Sequence, residues 1–420
     1  MSILERDFLT DPDLIQDPSL YYAALREVGP VVREPIRGVF LLSGIEEILT
    51  VYADPEFSAV VAPLGPLANL PEPAPGESWK DVVEFRRNEI PMADQFATFD
   101  PPKHTRHRSL LNKLLSPNRL KQNEEFMRTL AEELIGEFAE RGEVEFCDAY
   151  AGPFSLLVIA DLLGVPREDH ETFRRWLRGE ESGTGGSAYG PQLFENLYPY
   201  FTRYLEQRRA SPGTDVMSQL ATVRFPDGEL PEVDDVVRIA QFLFAAGQET
   251  TSRVLASGMR ILAEQPALAD ELRADVGAIP NFVEECLRFE SPLKGTYRLA
   301  LNDKQVAGVD IPAGSIVMAM NGAANRDPRV FEDPDRFDAK RANARRHIAF
   351  GHGEHFCPGA ILARAEARIS FERLLARLDE LRLVDGRALS YTPLLLFRGL
   401  EELPLRFRNR SSAPQTAANG

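Results

Sequence analysis

The chain has 420 residues, of which 44% are apolar and 27% charged, a composition typical of a folded protein with a sizeable core. Its net charge of −16 and its lack of a long basic run exclude the nucleic-acid binders, whose affinity depends on attraction to phosphates. The N-terminus lacks a secretory signal and no apolar run reaches the ~18 residues of a membrane span, so we expect a cytoplasmic protein.

The hydropathy pattern predicts mainly helices, with short strands towards both ends of the chain. Strands are expected within 30–43, before an irregular stretch over 61–98 that begins rich in proline and glycine. Mostly helices follow over 102–290, interrupted by the glycine-rich segment 182–190. We expect both irregular stretches to act as moving lids.

After residue 290, short strands and loops lead to a cysteine-containing segment and one more helix. The chain then finishes in a small strand region, and we expect the polar tail over 409–420 to be disordered. No composition shift marks a linker. The sequence therefore predicts a single domain over 1–408 that is mainly α with small β-sheets.

Two of the predicted helices matter most. The segment 232–264 is unusually long, and over 239–246 it is apolar on every side, which predicts that it passes through the centre of the protein. The helix after Cys357 carries an apolar stripe, with arginine and glutamate elsewhere. The members of that stripe are Ala360, Ala363, Ala367, Phe371, Leu374 and Leu378.

The three cysteines are odd in number and far apart, which argues against disulfides and for a reducing compartment. Cys147 and Cys286 have apolar helical neighbours and are interpreted as small buried side chains. Cys357 lies in AFGHGEHFCPGA, residues 349–360. A zinc site needs further ligands in close pairs, and a nucleophilic cysteine would need a base, for which His355 is a candidate.

The glycines at 351, 353 and 359 favour a third interpretation, because they allow tight turns and close approach of the backbone to a flat ligand. Pro358 stands at an N1-type helix position, so the sulfur is expected at a helix N-terminus, where partial positive charge favours the thiolate. A caged thiolate that faces a flat surface suits the iron of a haem as an axial ligand.

This segment resembles the haem-binding signature of the cytochrome P450 family, and three further segments match the family in the same order. The resemblance runs from about residue 20 to 408. It implies the cytochrome P450 fold, with haem b (iron protoporphyrin IX) between the long central helix and the cysteine loop, and Cys357 as the axial ligand of the iron. The residues that carry the signature are Phe350, Gly351, Gly353, His355, Cys357 and Gly359.

The second matching segment is EECLR, in which Glu285 and Arg288 are three residues apart and share a helix face. Taken alone, they would be an ordinary surface ion pair. In the family, the pair joins an arginine of a later P-x-R-F segment and locks the loop behind the haem. Here that segment is DPDRFD, and the resemblance assigns this structural role to Arg336.

The third segment, AAGQETTS, lies within the long helix. Gly247 costs a helix roughly 1 kcal/mol relative to alanine, and it could be a packing glycine beside another helix. The resemblance implies instead a helix widened opposite the iron, with Thr250 bonding to the carbonyl four residues earlier or to bound oxygen. It also assigns Glu249 and Thr250 as the catalytic acid–alcohol pair that relays protons during oxygen activation.

The fourth segment, DPPKHTRHRSLL, places His104 and Arg108 four residues apart on one helix face. The two propionates of a buried haem must be neutralised. By resemblance, their partners are these two residues together with Arg298 and His355, although each alone would be an ordinary surface charge. The remaining histidines are expected to be structural or exposed: His107, His170, His347 and His352.

The predicted substrate pocket is mostly apolar, which implies a small hydrophobic substrate such as a terpenoid, an aromatic or a steroid-like molecule. Lys294 would meet a carboxylate or point at solvent, and each of the other residues could equally belong to the core. The residues carried over by position are Met92, Phe242, Ala245, Ala246, Leu293, Lys294, Thr296, Leu396 and Phe397.

The resemblance implies a bacterial haem-thiolate monooxygenase that uses O2 to hydroxylate its substrate, without a nucleic-acid or membrane partner. We find no flavin or iron–sulfur domain, so electrons are expected from a separate ferredoxin and its NAD(P)H-dependent reductase. Part of the docking surface is expected at Arg341, Arg345 and Arg346. Three alternatives stay open: another oxidation such as desaturation or carbon–carbon coupling, a non-catalytic haem-thiolate sensor or carrier, and a haem-free helical scaffold.

Overall fold

A computed structural model describes residues 2–177 and 191–410 of the chain. The predicted lid over 182–190 and the tail from residue 411 onward lie outside the described residues. The expectation of disorder is wrong for Asn409, which is buried and pairs with Leu378 at the end of the last strand. Its side chain also donates a hydrogen bond to Glu140.

Helices dominate the described residues, as predicted. Proline at the first helical position and a serine before it begin α6, where Ser116 accepts a hydrogen bond from the backbone N–H of Arg119. No helix within 2–177 or 191–410 is both long and apolar enough to cross a membrane. In chain order, the α-helices are α1 Pro12–Gln16, α2 Ser19–Val28, α3 Ile45–Ala53, α4 Trp79–Phe85, α5 Lys103–Leu114, α6 Pro117–Phe138, α7 Gly152–Leu162, α8 His170–Leu177, α9 Pro191–Ala210, α10 Val216–Thr222, α11 Val233–Glu264, α12 Pro266–Ala274, α13 Ile279–Phe289, α14 Asn321–Ala324 and α15 Ala360–Arg377.

Short strands form three small sheets, and the strands expected within 30–43 are confirmed as β1 and β2 of the first. The strands are β1 Val31–Arg33, β2 Phe40–Leu42, β3 Phe57–Ser58, β4 Glu143–Glu145, β5 Thr296–Ala300, β6 Lys304–Val306, β7 Val309–Ile311, β8 Ile316–Ala319, β9 Leu378–Leu383 and β10 Pro404–Asn409. The five-stranded sheet has the order β1-β2-β8-β5-β3, with β2 and β8 parallel. The other sheets are β4-β10-β9 and the hairpin β6-β7.

Helix α11 confirms the long helix predicted over 232–264. It packs against α7, α9 and α15 and is buried over most of its length in the main apolar cluster. It can cross the interior because the segment 239–246 is apolar apart from Gln241. Helix α7 is buried on nearly all faces for the same reason.

Helix α15 follows the cysteine and packs against α6, α11 and α13. Part of its predicted apolar stripe is buried as expected: Ala360, Ala367, Phe371 and Leu374. Ala363 is half-buried, and Leu378 begins strand β9 instead of continuing the helix. Glu366, which lies off the predicted apolar stripe, is also buried.

A buried ion cluster behind the cysteine loop joins α13 to the segment 332–341. Glu285 and Arg288 are both fully buried, and the guanidinium donates two hydrogen bonds of 2.8 Å to the carboxylate. Arg288 also donates to the backbone carbonyls of Asn325 and Pro334, at 2.9 and 2.8 Å. The surface-pair alternative is therefore wrong, because water has been removed from both partners.

The arginine that completes this cluster is Arg341, and the prediction of Arg336 is wrong. Arg341 donates through Nε to Glu285 at 3.2 Å and is itself buried. The Arg336 side chain is 66% exposed, and only its backbone carbonyl accepts hydrogen bonds from Arg288 and Arg341. The segment 333–341 thus contributes two groups to the cluster: the backbone carbonyl of Arg336 and, five residues later, the side chain of Arg341.

Candidate active site

Tight turns hold the cysteine loop against helix α3. Gly351 and Gly353 both have a φ of +69°, a region that favours glycine. A Cβ at Gly353 would lie 3.0 Å from the carbonyl oxygen of Tyr52, so the loop approaches α3 as closely as a backbone without a side chain allows. The Cys357 N–H donates to the Phe350 carbonyl at 2.9 Å and closes the loop.

Opposing effects act on the pKa of the Cys357 thiol. Burial raises the pKa of the thiol, while the N–H of Gly359 and the charges of Arg108 and Arg364 act in the opposite direction. The position predicted for Pro358 is wrong: α15 begins at Ala360, with Gly359 before it. The helix N-terminus therefore lies farther from the sulfur than a proline in the first turn would place it.

A second buried ion cluster connects the residues on either side of the cysteine loop. Glu284 accepts hydrogen bonds from His347 at 3.0 Å and from Arg364 at 2.7 and 3.0 Å, and Arg345 lies 3.3 Å away. Burial acts to raise the pKa of Glu284, but the bonds from His347 and Arg364 outweigh it and lower the pKa to about 2. The Arg364 guanidinium lies over the ring of Phe350, 4.6 Å from its centroid. Helices α13 and α15 and the loop are thus joined at one carboxylate.

The four predicted propionate partners come together beside the loop. The rings of His104 and His355 are 4.1 Å apart between centroids. Arg108 donates to the Phe356 carbonyl at 2.7 Å. Burial, together with the positive charges of Arg108 and Arg298, lowers the pKa of His104 to about 4 and that of His355 to about 2.

No carboxylate within the two described ranges pairs with any of these four side chains. Arg298 is buried and donates to the hydroxyl of Thr296 at 3.2 Å and to the Tyr297 carbonyl at 2.8 Å, both neutral oxygens. The buried Nε2 of His104 has no hydrogen-bond partner among the residues described. A buried arginine, a half-buried arginine and two histidines beside a cysteine fit a flat ligand that carries carboxylates at its edge, as haem does.

The central turns of helix α11 carry the predicted residues Gly247, Glu249 and Thr250. Thr250 donates its hydroxyl to the carbonyl of Ala246 at 2.8 Å, one of the two bonds expected for it. The helix is a continuous α-helix through this region, so the expected widening is not present. A Cβ at Gly247 would lie 2.7 Å from Ile159 of α7, which agrees with the alternative of a packing glycine.

Glu249 lies beside Thr250 in the chain but is held elsewhere. Its carboxylate forms a buried ion pair with Arg253, one turn later on α11. Burial raises the pKa of Glu249 to about 7, although the charge and hydrogen bond of Arg253 oppose this. Arg253 was not among the predicted site residues, but the Glu–Arg spacing of four in ETTSR would have indicated this pair.

Glu366 is a second buried acid that the sequence reasoning missed. It accepts a hydrogen bond of 2.8 Å from the hydroxyl of Thr251, so neighbouring threonines of α11 bond in different directions. Burial raises the pKa of Glu366 to about 8, against the effect of the Thr251 bond. The feature that could have indicated its burial is the spacing of Glu366, four residues from both Leu362 and Ser370 on a helix face that is buried.

Several predicted pocket residues are adjacent in space. Leu293 opposes Phe397 in an antiparallel bridge. Phe242 contacts Phe96 edge to face, with 5.2 Å between ring centroids, and Phe96 stacks on His104 at 5.1 Å. Phe96 was not predicted to belong to the site, yet it joins Phe242 of the predicted pocket to His104.

Met92 does not join this group. It is half exposed and lines an open cavity of about 780 Å³ together with Phe85, Arg87 and Lys103. None of the other eight predicted pocket residues lines that cavity. Met92 lies in the irregular stretch over 61–98, where position along the chain does not fix which way a side chain points.

Comparison with known proteins gives consistent matches. The family model described as cytochrome P450 matches residues 200–381. The chain is 33% identical over 413 residues to the cytochrome P450 monooxygenase PikC of Streptomyces venezuelae, covering 96% of this chain and 94% of that protein. It is 33% identical over 406 residues to the vitamin D(3) 25-hydroxylase of Pseudonocardia autotrophica, covering 94% and 95%. The substrate-free structure of Mycobacterium marinum cytochrome P450 CYP150A6 is 46% identical, with a TM-score of 0.91, covering 97% of this chain and 100% of that chain.

We predict that Glu366→Gln weakens the pH dependence of stability between pH 6 and 9. The folded pKa of about 8 lies above the ordinary value of 4.5, so the stability that the protonated acid contributes is complete below pH 4.5 and is lost as pH rises towards 8. Glutamine keeps the neutral form, so the variant should gain about 1–3 kcal/mol relative to the wild type over this range. Urea unfolding at pH 6 and pH 9 measures the difference.

The exposed Glu27→Gln serves as the matched control and should follow the wild type. Identical pH dependence in Glu366→Gln and the wild type would contradict a raised pKa at this position.

Proposed function

Because the chain belongs to the cytochrome P450 family, we propose that it hydroxylates a small hydrophobic substrate with electrons from a separate ferredoxin and its reductase. It is a monooxygenase, an oxidoreductase that uses haem b. The proposal assigns Cys357 as the ligand that would hold the iron, and it assigns His104, Arg108, Arg298 and His355, here called the propionate cluster, to the propionates. It assigns Glu249 and Thr250 to proton transfer.

The propionate cluster beside Cys357, with two arginines that no carboxylate of the described residues pairs with, is the observation that carries the proposal. Burying Arg298 and half-burying Arg108 without a counter-ion costs free energy, and two carboxylates at the edge of a flat ligand would offset that cost. The same ligand would meet the Cys357 sulfur at its centre. When bound, haem supplies the iron at which dioxygen is activated, with electron density donated by the thiolate. Cys357 and the propionate cluster would hold the group in place.

The apolar lining supports a hydrophobic substrate. Ala245 and Ala246 are half-buried in the middle of α11, where small side chains leave space beside an otherwise buried helix. Phe242, Leu293 and Phe397 are also half-buried and contribute apolar surface. The name of the vitamin D(3) 25-hydroxylase describes action on an apolar molecule and supports the same class of substrate here.

Glu249 and Thr250 can hold and move a proton on the pocket side of α11. A carboxyl whose pKa is about 7 is partly protonated at neutral pH, which suits an acid catalyst. In the resting arrangement, Glu249 is paired with Arg253 and Thr250 with the Ala246 carbonyl. We therefore propose that Glu249 leaves its ion pair during turnover and passes its proton to the Thr250 hydroxyl.

The electron donor is proposed to dock on the face that contains the cysteine loop. Phe356 and Ile361 are exposed apolar side chains on either side of Cys357, 41% and 68% exposed. Arg345 and Arg346 are exposed, while Arg341 is buried against Glu285 and cannot belong to a docking surface. On a chain of net charge −16, a local basic patch around apolar contacts suits an acidic ferredoxin.

We predict that the reduced protein with carbon monoxide shows the red-shifted Soret band of thiolate-ligated haem, and that Cys357→Ala abolishes it. Without the sulfur, the iron loses its anionic ligand. Cys147→Ala is the matched control and should keep the band. A band that survives in Cys357→Ala would show that another group binds the iron, and its absence from the wild type would refute the proposed function.

We predict that Thr250→Ala uncouples NADH consumption from product, while Thr250→Ser retains coupling because the hydroxyl is kept. The fraction of NADH recovered as product should fall severalfold, less than the ~10²-fold loss of a full acid–base catalyst, since water can replace the hydroxyl. Turnover is measured with a compound selected by its spin-state shift. Unchanged coupling in Thr250→Ala would remove this residue from the relay.

We predict that Arg346→Glu slows reduction by an acidic ferredoxin severalfold at low salt and weakens the salt dependence of the rate. This substitution leaves the Glu284 cluster untouched. Stopped-flow reduction measures the effect, with the exposed Arg387→Glu as control. Equal rates for the wild type and Arg346→Glu would place the docking surface elsewhere.

A further inference from the structure

Lys294 is a buried lysine in the wall of the proposed pocket. Its side chain belongs to a residue that is 5% exposed, so of the two possibilities left by the sequence, contact with solvent is wrong. Its backbone N–H donates to the Leu396 carbonyl at 2.7 Å, and its neighbour Leu293 opposes Phe397. Lys294 is therefore adjacent to three residues of the apolar lining.

The Lys294 ammonium lies where three elements meet. The ring of Phe8, from the N-terminal segment, is 5.8 Å from Nζ. Arg253 of α11 and Arg398 of the loop between β9 and β10 are close enough for their charges to act on the ammonium. A Cβ at Gly399 would collide with the Arg253 side chain, so this loop and α11 are in direct contact. The amine is enclosed between the central helix, the loop that carries Leu396, and an aromatic side chain.

The ammonium has no anionic partner in the parts of the chain that the structure covers. The two neighbouring arginines are positive and pair with carboxylates, Arg253 with Glu249 and Arg398 with Glu290. Glu290 also pairs with Arg260, whose charge is balanced by Glu264 as well. One positive charge is thus left over in a buried region. Burial and these two arginines lower the pKa of Lys294 to about 8, which reflects the cost of keeping the charge there.

We propose that Lys294 binds a carboxylate of the substrate, so that the preferred substrates are apolar molecules that carry one acidic group. This inference rests on the proposed function, because it places the lysine in that substrate pocket. A carboxylate fits better than a phosphate, since a single ammonium in an apolar wall can balance one negative charge but not two. The acid would supply the counter-ion that this buried region lacks.

Binding in such a site should discriminate sharply between an acid and its amide. The carboxylate gains a charge-assisted hydrogen bond in a poorly hydrated region, whereas the amide leaves the ammonium buried and unpaired. Hydrogen bonds to charged groups of this kind correspond to about tenfold to a hundredfold in affinity.

The experiment is a spin-state titration of the holoenzyme with matched pairs of ligands. Dodecanoic acid is compared with dodecanamide, and 1-adamantanecarboxylic acid with its amide. We expect at least one acid to bind the wild type at least about tenfold tighter than its amide. Lys294→Met should abolish this preference by weakening the acid alone, and Lys294→Arg should keep part of it. Lys340→Met, at an exposed lysine paired with Glu271, should behave as the wild type.

Unfolding provides a second measurement. Without ligand, Lys294→Met should raise the urea midpoint, because it replaces a buried charge that lacks a counter-ion by an apolar side chain of similar length. The proposal is overturned if no acid binds the wild type tighter than its amide, or if Lys294→Met retains the preference. A lowered urea midpoint in Lys294→Met would also contradict it, because the ammonium would then be stabilising without a ligand.

Failure of this inference is distinguishable from failure of the proposed function. A wild type that lacks the red-shifted carbon monoxide band refutes the function itself. A wild type and a Lys294→Met variant that both show the band, with no preference for acids, refute only the role of Lys294.

Discussion

The constraint on which the site depends is positive charge that the described polypeptide does not neutralise. The charge comes from Arg108 of helix α5 and Arg298 of strand β5, which lie far apart in sequence. Two neutral histidines, His104 of α5 and His355 of the cysteine loop, lie beside them. Bringing them together costs free energy unless a ligand supplies negative charge. The fold therefore builds a site whose stability is linked to its occupancy, since a ligand that binds the native state alone stabilises it. Haem meets both requirements, with carboxylates for the cations and iron for the sulfur.

Two carboxylates of helix α13 fix the segments that flank the cysteine loop. Glu285 joins Arg288 and Arg341, and Glu284, its neighbour in α13, joins Arg364 and His347. One helix turn thus anchors both the segment before the loop and the helix after it. Breaking a buried pair of this kind typically costs about 3–5 kcal/mol, because the remaining charge stays buried without its partner. The position of the sulfur is therefore determined largely by side chains that never contact it.

Periodic and local features of this protein were predictable from its sequence. The long central helix, the strands near residue 40 and the i to i+4 spacing of His104 and Arg108 all follow from patterns within one element. Partners that irregular segments bring together were not predictable. Arg341 binds Glu285 in place of the predicted Arg336, because the direction of a side chain after an irregular segment depends on the path of the chain. Burial of Glu366 escaped notice because its partner, Thr251, lies on another helix. The direction of Lys294 could be determined only once its neighbours were known.

The close approach of Gly353 to Tyr52 has a consequence for how the protein is made. The backbone that supports the cysteine loop is synthesised about 300 residues before the loop itself. Nascent chains emerge from the ribosome N-terminus first, so α3 must wait until Gly353 has been synthesised before its contact exists. Contacts of such long range also slow folding, because a large loop must close first. Haem capture is thus expected only after the chain has been synthesised through the cysteine loop.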